Sequence, residues 1–552
     1  MIAPAATMIR SACLILAALL IPAAMATATD VTFDAEATTV WQVADQAPIP
    51  PPAPDPWSEV PAYIDTYWLH PLDDLFAIRG ASPALDVNAL DHVPGSSWFL
   101  PGRTGFPPEL SGSRSIAAPI VPVAAEALDR GGPLVVLAAR LEGNLPHLLV
   151  RDAAGARFWL DFDDPLVPEL RTAAVVVASR LLHAAGYFVC PSFIDVLRPE
   201  ELTISPGAEE VGEHGGSDPL TAQRLERFFA RYRPAQDSTR ATLVPPASAG
   251  ADTAIRVAAS RTPEGLFLGG FAPRGRRSDD PNDLIPHEAR RSLRGFAILA
   301  AWLDHWSIRE DRTLDLYLQP QSYVRHYLMG LALTLGNGHV DPAGGRFESL
   351  HAFHPRLLDP RAWKPAWTYA PFTAMQWADA LWGIRLLLSF TDTEIAAAVA
   401  GGAYSDPQVA QYVSGTLRER RDLIGRAWLE TLNSSDRFTI TGSPAGRWML
   451  GCEDLGVSRG LRRPEDVVYL MTMRQPQTGR ILGYQSRAGG QLQFDLTSFM
   501  PPEWSHRLDP SRYAIAEFLA WDHRGRLLTG CTQVHLYFDR SSGPRVIGII
   551  RD

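Results

Sequence analysis

At 552 residues, with 46% apolar and 20% charged side chains, the chain has a globular composition, enough for roughly two to four domains and unlike a disordered chain. A formal net charge of −10, with no basic arm or basic–aromatic stripe, excludes nucleic acid as the expected partner. Lys364 is the single lysine, so mechanisms that need a lysine ammonium anywhere else are excluded, among them the phosphate-binding lysines of nucleotide enzymes and Schiff-base lysines.

Residues 1–28 read as a secretory signal peptide. Arg10 supplies the positive start, Leu14 to Ile21 a short apolar run, and Ala24-Met25-Ala26 and Ala26-Thr27-Ala28 fit the small-x-small cleavage rule. The run is short for a bilayer and Pro22 interrupts it. Cys13 precedes the run, against a lipoprotein anchor. The expectation is a secreted or periplasmic protein with no transmembrane segment after cleavage. In such a compartment Cys452 and Cys531 could pair as a disulfide, with Cys190, in an apolar GYFVCPSF setting, left as a buried inert thiol.

Residues 29–115 form a proline-rich, irregular segment, densest at Ala47 to Pro61. Strands follow at Leu134 to Leu141, His147 to Arg151 and Arg157 to Phe162, the last two a hairpin over Ala153 to Gly155. Glu169 to Ala185 carries apolar residues at helical spacing and stops at Gly186. Two more strands are predicted at Thr253 to Ala259 and Leu266 to Phe271, which makes an α+β fold rather than a βαβ array.

From His287 to His305 the pattern predicts one long helix, then short strands at Thr313 to Leu318 and Tyr323 to Leu328. Helices follow at Gln376 to Ser389, Asp392 to Ala400 and Asp406 to Leu432. Residues 434–552 are a β-rich, turn-rich module, sandwich-like or barrel-like, with strands from Phe438 to Ile440 through Val546 to Ile550.

Six words carry a resemblance: Asp161 to Pro165 (DFDDP), Ala173 to Tyr187, Asp279 to Gly295 (DDPNDLIPHEARRSLRG), Ala301 to Asp315, Tyr323 to Gly336 and Arg361 to Pro365. In these the chain resembles a family of uncharacterised secreted bacterial proteins, itself similar to atypical kinases of the bacterial toxin and spore-coat type. The resemblance implies a kinase-like two-lobed core, with a mixed β/α N-lobe over residues 116–275 and a mainly helical C-lobe over 276–433, followed by the β-rich module.

Phosphoryl transfer needs a strand lysine, a helix glutamate to hold it, a loop aspartate, an asparagine and a metal-binding aspartate. Matched word by word, the resemblance puts Asp161 at the lysine, Val175 at the glutamate, Trp306 and Ser307 at the acidic pair, Arg312 at the asparagine and Gly330 at the metal aspartate. This implies a degenerate pocket with no cofactor and no metal, and a binding or scaffolding role toward a protein or envelope partner. An alternative is an unusual transferase using Asp304, His305, Arg309, Asp311 and Asp315 as acid/base groups, against a structural ion-pair network around Arg309. A third is an envelope protein acting through its β module.

Lesser candidates each have a plainer counterpart. Asp279, Asp280, Asn282 and Asp283 resemble a calcium loop, or cap the helix near Pro286. His351 and His354 are either a chelating pair or loop packing, and His214-Gly215-Gly216 has no following nucleophile elbow. Lys364, between Trp363 and Trp367, suits a snorkelling or cation–π contact.

Overall fold

The structure is a computed structural model that describes residues 33, 43–54, 82–101, 127–143, 145–212, 216–232, 254–337, 353–442, 447–499, 512–539 and 543–552. The expected signal peptide, His214, Gly215 and His351 lie outside the described residues. The chain divides into a larger unit, Gln42–Asp86 with Val93–Ile424, and a smaller one, Met1–Trp41 with Val87–His92 and Gly425–Asp552. Mixed helix and sheet in several separate sheets make the fold α+β.

The larger unit is built on a seven-stranded sheet ordered β4-β7-β3-β2-β1-β5-β6. Its strands are β1 Leu134–Arg140, β2 His147–Arg151, β3 Arg157–Phe162, β4 Ser192–Leu197, β5 Leu202–Val211, β6 Ser217–Pro219 and β7 Ile255–Arg261. The β2–β3 turn closes where the Ala156 amide donates to the Asp152 carboxylate (2.8 Å) and Gly155 takes φ 89°. Strand alternation then sorts the side chains. Leu148, Val150, Phe158, Leu160 and Phe162 enter one core with Val136, Val257 and Phe228. Their sequence neighbours face the other way.

On that second face lies helix α1, Leu170–Ala185, a run of small and branched residues without glycine or proline. It ends at Gly186 (φ 111°), where an added Cβ would meet the Leu100 carbonyl oxygen at 2.5 Å. Val175 and Val176 pack there with Leu145, Ala258, Ala332 and Leu333.

Strands β4 to β6 and helix α2, Ala222–Phe229, are elements that the sequence reading lacked. β5 contains Pro206 and Gly207 and is largely solvent-facing, so it carries no clean alternation.

The predicted long helix over 287–305 is instead three pieces: a 3-10 turn at His287–Ala289, one helical turn at Arg291–Arg294, and α3 at Phe296–Leu303. Arg290 is extended between the first two (φ −92°, ψ 123°), and its guanidinium donates to Asp283 at 2.9 Å. Asp86 accepts the Arg291 and Ser292 amides and so caps the second piece. At Gly295 an added Cβ would meet the Trp382 ring at 2.4 Å, so glycine permits a close helix crossing there. Strands β8 Gly265–Gly269, β9 Thr313–Leu318 and β10 Tyr323–Leu328 form a second sheet, the last two at the predicted bounds. Helices α4 Trp377–Leu388, α5 Asp392–Ala400 and α6 Pro407–Leu429 follow close to their predicted positions.

The smaller unit holds a three-stranded sheet, β11 Ser435–Thr441, β12 Met449–Asp454 and β15 Gln491–Asp495, ordered β11-β12-β15. A five-stranded sheet, β14-β13-β16-β17-β18, is made by β13 Val467–Arg474, β14 Ile481–Ala488, β16 Tyr513–Asp522, β17 Thr532–Asp539 and β18 Gly543–Arg551. One core joins the two: Leu450, Leu492 and Phe494 pack with Met471, Phe518 and Val534. Buried Arg551 donates to Asp91 (2.6 Å), Asp436 (3.2 Å) and the Ser435 carbonyl (2.9 Å).

Cys452 and Cys531, whose pairing the sequence leaves open, are buried free thiols. Cys452 belongs to the three-stranded sheet, while Cys531 leads into β17 of the other, its amide donating to Asp552. Burial pushes the Cys531 thiol up to about 12. Buried Cys190 is likewise free and pushed up to about 12 by burial and then by Asp161, which suits an inert thiol.

Candidate functional site

Cross-strand register builds the site. Arg140 stands opposite His147, His147 opposite Asp161, and Asp161 opposite Ala258. Directly paired residues share a face, so this row lies on the α1 side of the sheet, where Ala258 packs with Val175.

The 3-10 turn Glu310–Arg312 then delivers Arg312, whose carbonyl accepts the Met329 amide (2.8 Å). Gly330 follows in the left-handed conformation (φ 68°). A Cβ there would come within 2.8–2.9 Å of Arg312 side-chain carbons. Ala332 and Leu333, just beyond, pack against Val175. Asp161, Val175, Arg312 and Gly330 therefore lie near one another, between the sheet, α1 and the turns that carry Arg312 and Gly330.

Arg312 and His305 are buried there, while Arg140, His147 and Asp161 are half-buried. Burial raises the Asp161 carboxyl to about 7, with Arg312 opposing and Asp163 adding to the rise. Burial also lowers His147 to about 4, helped by the charges of Arg140 and Arg312. His305 is lowered to about 4 by burial and then by Arg312, so both imidazoles are neutral at pH 7. Burial pulls the Arg312 guanidinium down to about 10, the attraction of Asp311 opposing and Arg309 and Arg140 adding to the fall; it stays charged at neutral pH.

The other acid/base candidates scatter. Asp304 ends α3 in the left-handed region and accepts from the Trp363 indole (3.0 Å). Arg309 pairs with Asp311 (2.7 Å) and lies over the Trp367 ring (4.8 Å). That ring, expected to carry Lys364, holds Arg309 instead, and Lys364 is exposed. Asp315 pairs with His326 (2.6 Å) and Arg277 (3.4 Å). Trp306 and Ser307 occupy the loop between, the Trp306 carbonyl accepting the Ala366 amide (2.8 Å).

The DDPND…HE…R run forms a second, buried hub. Asp283 accepts the Arg277 amide (2.7 Å), His287 Nε2 (2.8 Å) and Arg290 Nη2 (2.9 Å). Burial alone would raise it, but the His287 bond and the charges of His287, His326 and Arg290 hold it well below the usual carboxylate range. Trp98 stacks on His326 (3.6 Å between centroids) under Arg290 (4.6 Å). Asp279 pairs with Arg277 (2.8 Å), Asp280 accepts the Asn282 amide (2.8 Å), and Asn282 donates to the Ala47 carbonyl (2.8 Å). The run neither converges on a cation nor caps a helix backbone; it is an ion-pair hub. Among the described residues no group of three His, Cys, Asp or Glu is placed to hold a metal. His354 caps the turn Pro355–Leu357 by accepting the Arg356 amide (3.1 Å). Trp98 and His326 join this hub from distant segments with no shared spacing, so the sequence alone does not signal them.

No family model matches the chain, and no curated protein matches it. Two solved structures are similar to it: the Golgi casein kinase, and the Golgi casein kinase with Mn/ADP bound. Each is 9% identical with a TM-score of 0.26, covering 54% of this chain and 74% or 73% of theirs. This is a weak, distant kinase-like similarity. No helix among the described residues is long and apolar enough to cross a membrane.

Proposed function

We propose that the chain is a binding or scaffolding protein with a kinase-like two-lobed core whose cleft no longer transfers phosphate. It acts in a secreted or periplasmic setting toward a protein or envelope partner. One observation supports this most directly. The Arg312 stem lies against Gly330, so a cation stands where phosphoryl transfer needs a metal-holding carboxylate. The remaining positions agree in sign: Asp161 is acidic where a lysine is needed, and Val175 is apolar where its glutamate partner is needed.

The transferase alternative draws no support from the geometry, because Asp304, Arg309 and Asp315 each turn to a different partner. The test is direct. The full chain is incubated with γ-labelled ATP and Mg²⁺ or Mn²⁺, alone and with generic acceptor proteins. No label is expected in any protein band. Label on the chain itself or on an acceptor overturns the reading.

A further inference from the structure

We propose that the cleft binds a phosphate-type oxyanion on Arg312, beside Arg140, without a divalent cation. This rests on the reading of the cleft as one that has lost phosphoryl transfer.

Arg312 is the primary observation. Its side chain is 9% exposed, and its one described ion-pair partner is Asp311, 3.5 Å from Nε. That separation is too long for a strong charge-assisted bond. Nε makes no hydrogen bond. Asp311 is meanwhile held by Arg309 through two contacts, Nε at 2.7 Å and Nη2 at 2.8 Å. A buried guanidinium whose Nε has no hydrogen-bond acceptor is costly unless something supplies one.

The surroundings do not supply the missing charge. Arg140, His147 and Asp161 form the neighbouring row. Both nearby imidazoles, His147 and His305, are neutral at pH 7. His305 Nδ1 has no hydrogen-bond partner, and the ring is buried. Asp161 is the row's only carboxylate, and it is half protonated near pH 7. Arg140, Arg309 and Arg312 set against Asp311 and Asp161 leave an excess of positive charge fixed on protein groups.

A tetrahedral oxyanion satisfies this arrangement. A guanidinium donates in a planar fork that matches two oxygens of one phosphate group. Where a kinase uses a carboxylate-bound metal to neutralise phosphate, a guanidinium supplies that charge here. Gly330 is what admits it: a Cβ at 330 would meet the Arg312 stem.

The experiment is isothermal titration of the full chain in excess chelator with inorganic phosphate, sulfate, ADP and adenosine, repeated with Mg²⁺. Phosphate and sulfate bind in chelator, and Mg²⁺ changes the affinity less than threefold. Arg312→Gln weakens both by about tenfold or more, the scale of a lost charged hydrogen bond. Gly330→Ala weakens them similarly by displacing the stem. Should Arg312→Gln fail to fold, Arg140→Gln carries the same test. ADP binding tighter than phosphate, with adenosine competing, assigns the phosphate to a nucleotide; equal affinities assign it to a free ion. Absence of binding in chelator, or an unchanged affinity in Arg312→Gln, overturns the proposal while leaving the lack of phosphoryl transfer intact. Transfer of label from γ-labelled ATP overturns the earlier reading instead.

Discussion

Arg312 and Gly330 interlock: the arginine's aliphatic carbons pass so close to the glycine that a Cβ would sit 2.8–2.9 Å away. Gly330 is also left-handed, at φ 68°. Only glycine meets both demands without strain. Two positions that belong to different words of the chain thus behave as one unit.

Gly330→Ala should therefore destabilise the chain by about 1–3 kcal/mol, from backbone strain and displacement of the Arg312 stem together. Urea unfolding against the parent measures it. A change within experimental scatter would show that the two residues are not in contact.

Asp161 yields a pH prediction. Its folded carboxyl sits near 7, above the ordinary value of 3.8, because of burial and then Asp163. The folded state therefore holds a proton that the unfolded state releases. This makes Asp161 harmless at low pH and increasingly unfavourable as pH rises from about 4 to 7. Asp161→Asn should be more stable than the parent at pH 8, by up to about 4 kcal/mol, with the gap shrinking at pH 5. Equal unfolding midpoints at pH 8 would refute it.

Asp283 works in the opposite sense. Its carboxyl is held low by His287, His326 and Arg290 despite burial. Its contribution is present above about pH 4 and fades as pH falls through its depressed folded value. Asp283→Asn leaves Arg290 short of a partner in a buried place, and should cost about 3–5 kcal/mol at pH 7. Thermal unfolding scanned from pH 7 to 2 should show a loss that sets in below about pH 4 in the parent and is shallower in the variant.

Cys452 and Cys531 should behave as unlinked thiols. Reductant should leave the melting temperature unchanged, and intact mass under denaturing, non-reducing conditions should show no loss of hydrogens. A thiol count in denaturant lower by two would mean that the pair forms after all.

The hairpin of β9 and β10 was readable because its alternation and turn are local, and the strand 157–162 with its turn at Gly155 for the same reason. The sequence over 287–305 predicts one helix because an Arg-rich start leads into an apolar run, while buried pairing with Asp283 holds Arg290 extended. β5 and β12 were missed: one is interrupted by Pro206 and Gly207, the other carries Gly451 and ends in Glu453-Asp454. The sequence around Asp283 suggests a calcium loop or a cap because the hub's partners Trp98 and His326 lie far away in the chain.

The chain alone determined which chemical groups are available: one lysine at 364, an acid at 161, an arginine at 312 and a glycine at 330. Those identities set the signs of charge, and no folding can change them. Only the tertiary structure decided that Asp161, Val175, Arg312 and Gly330 come together, that burial raises the Asp161 carboxyl to about 7, and that Arg312 is buried with no hydrogen bond at Nε. Dehydration and cross-strand register impose those properties, and both arise from segments brought together over long stretches of sequence.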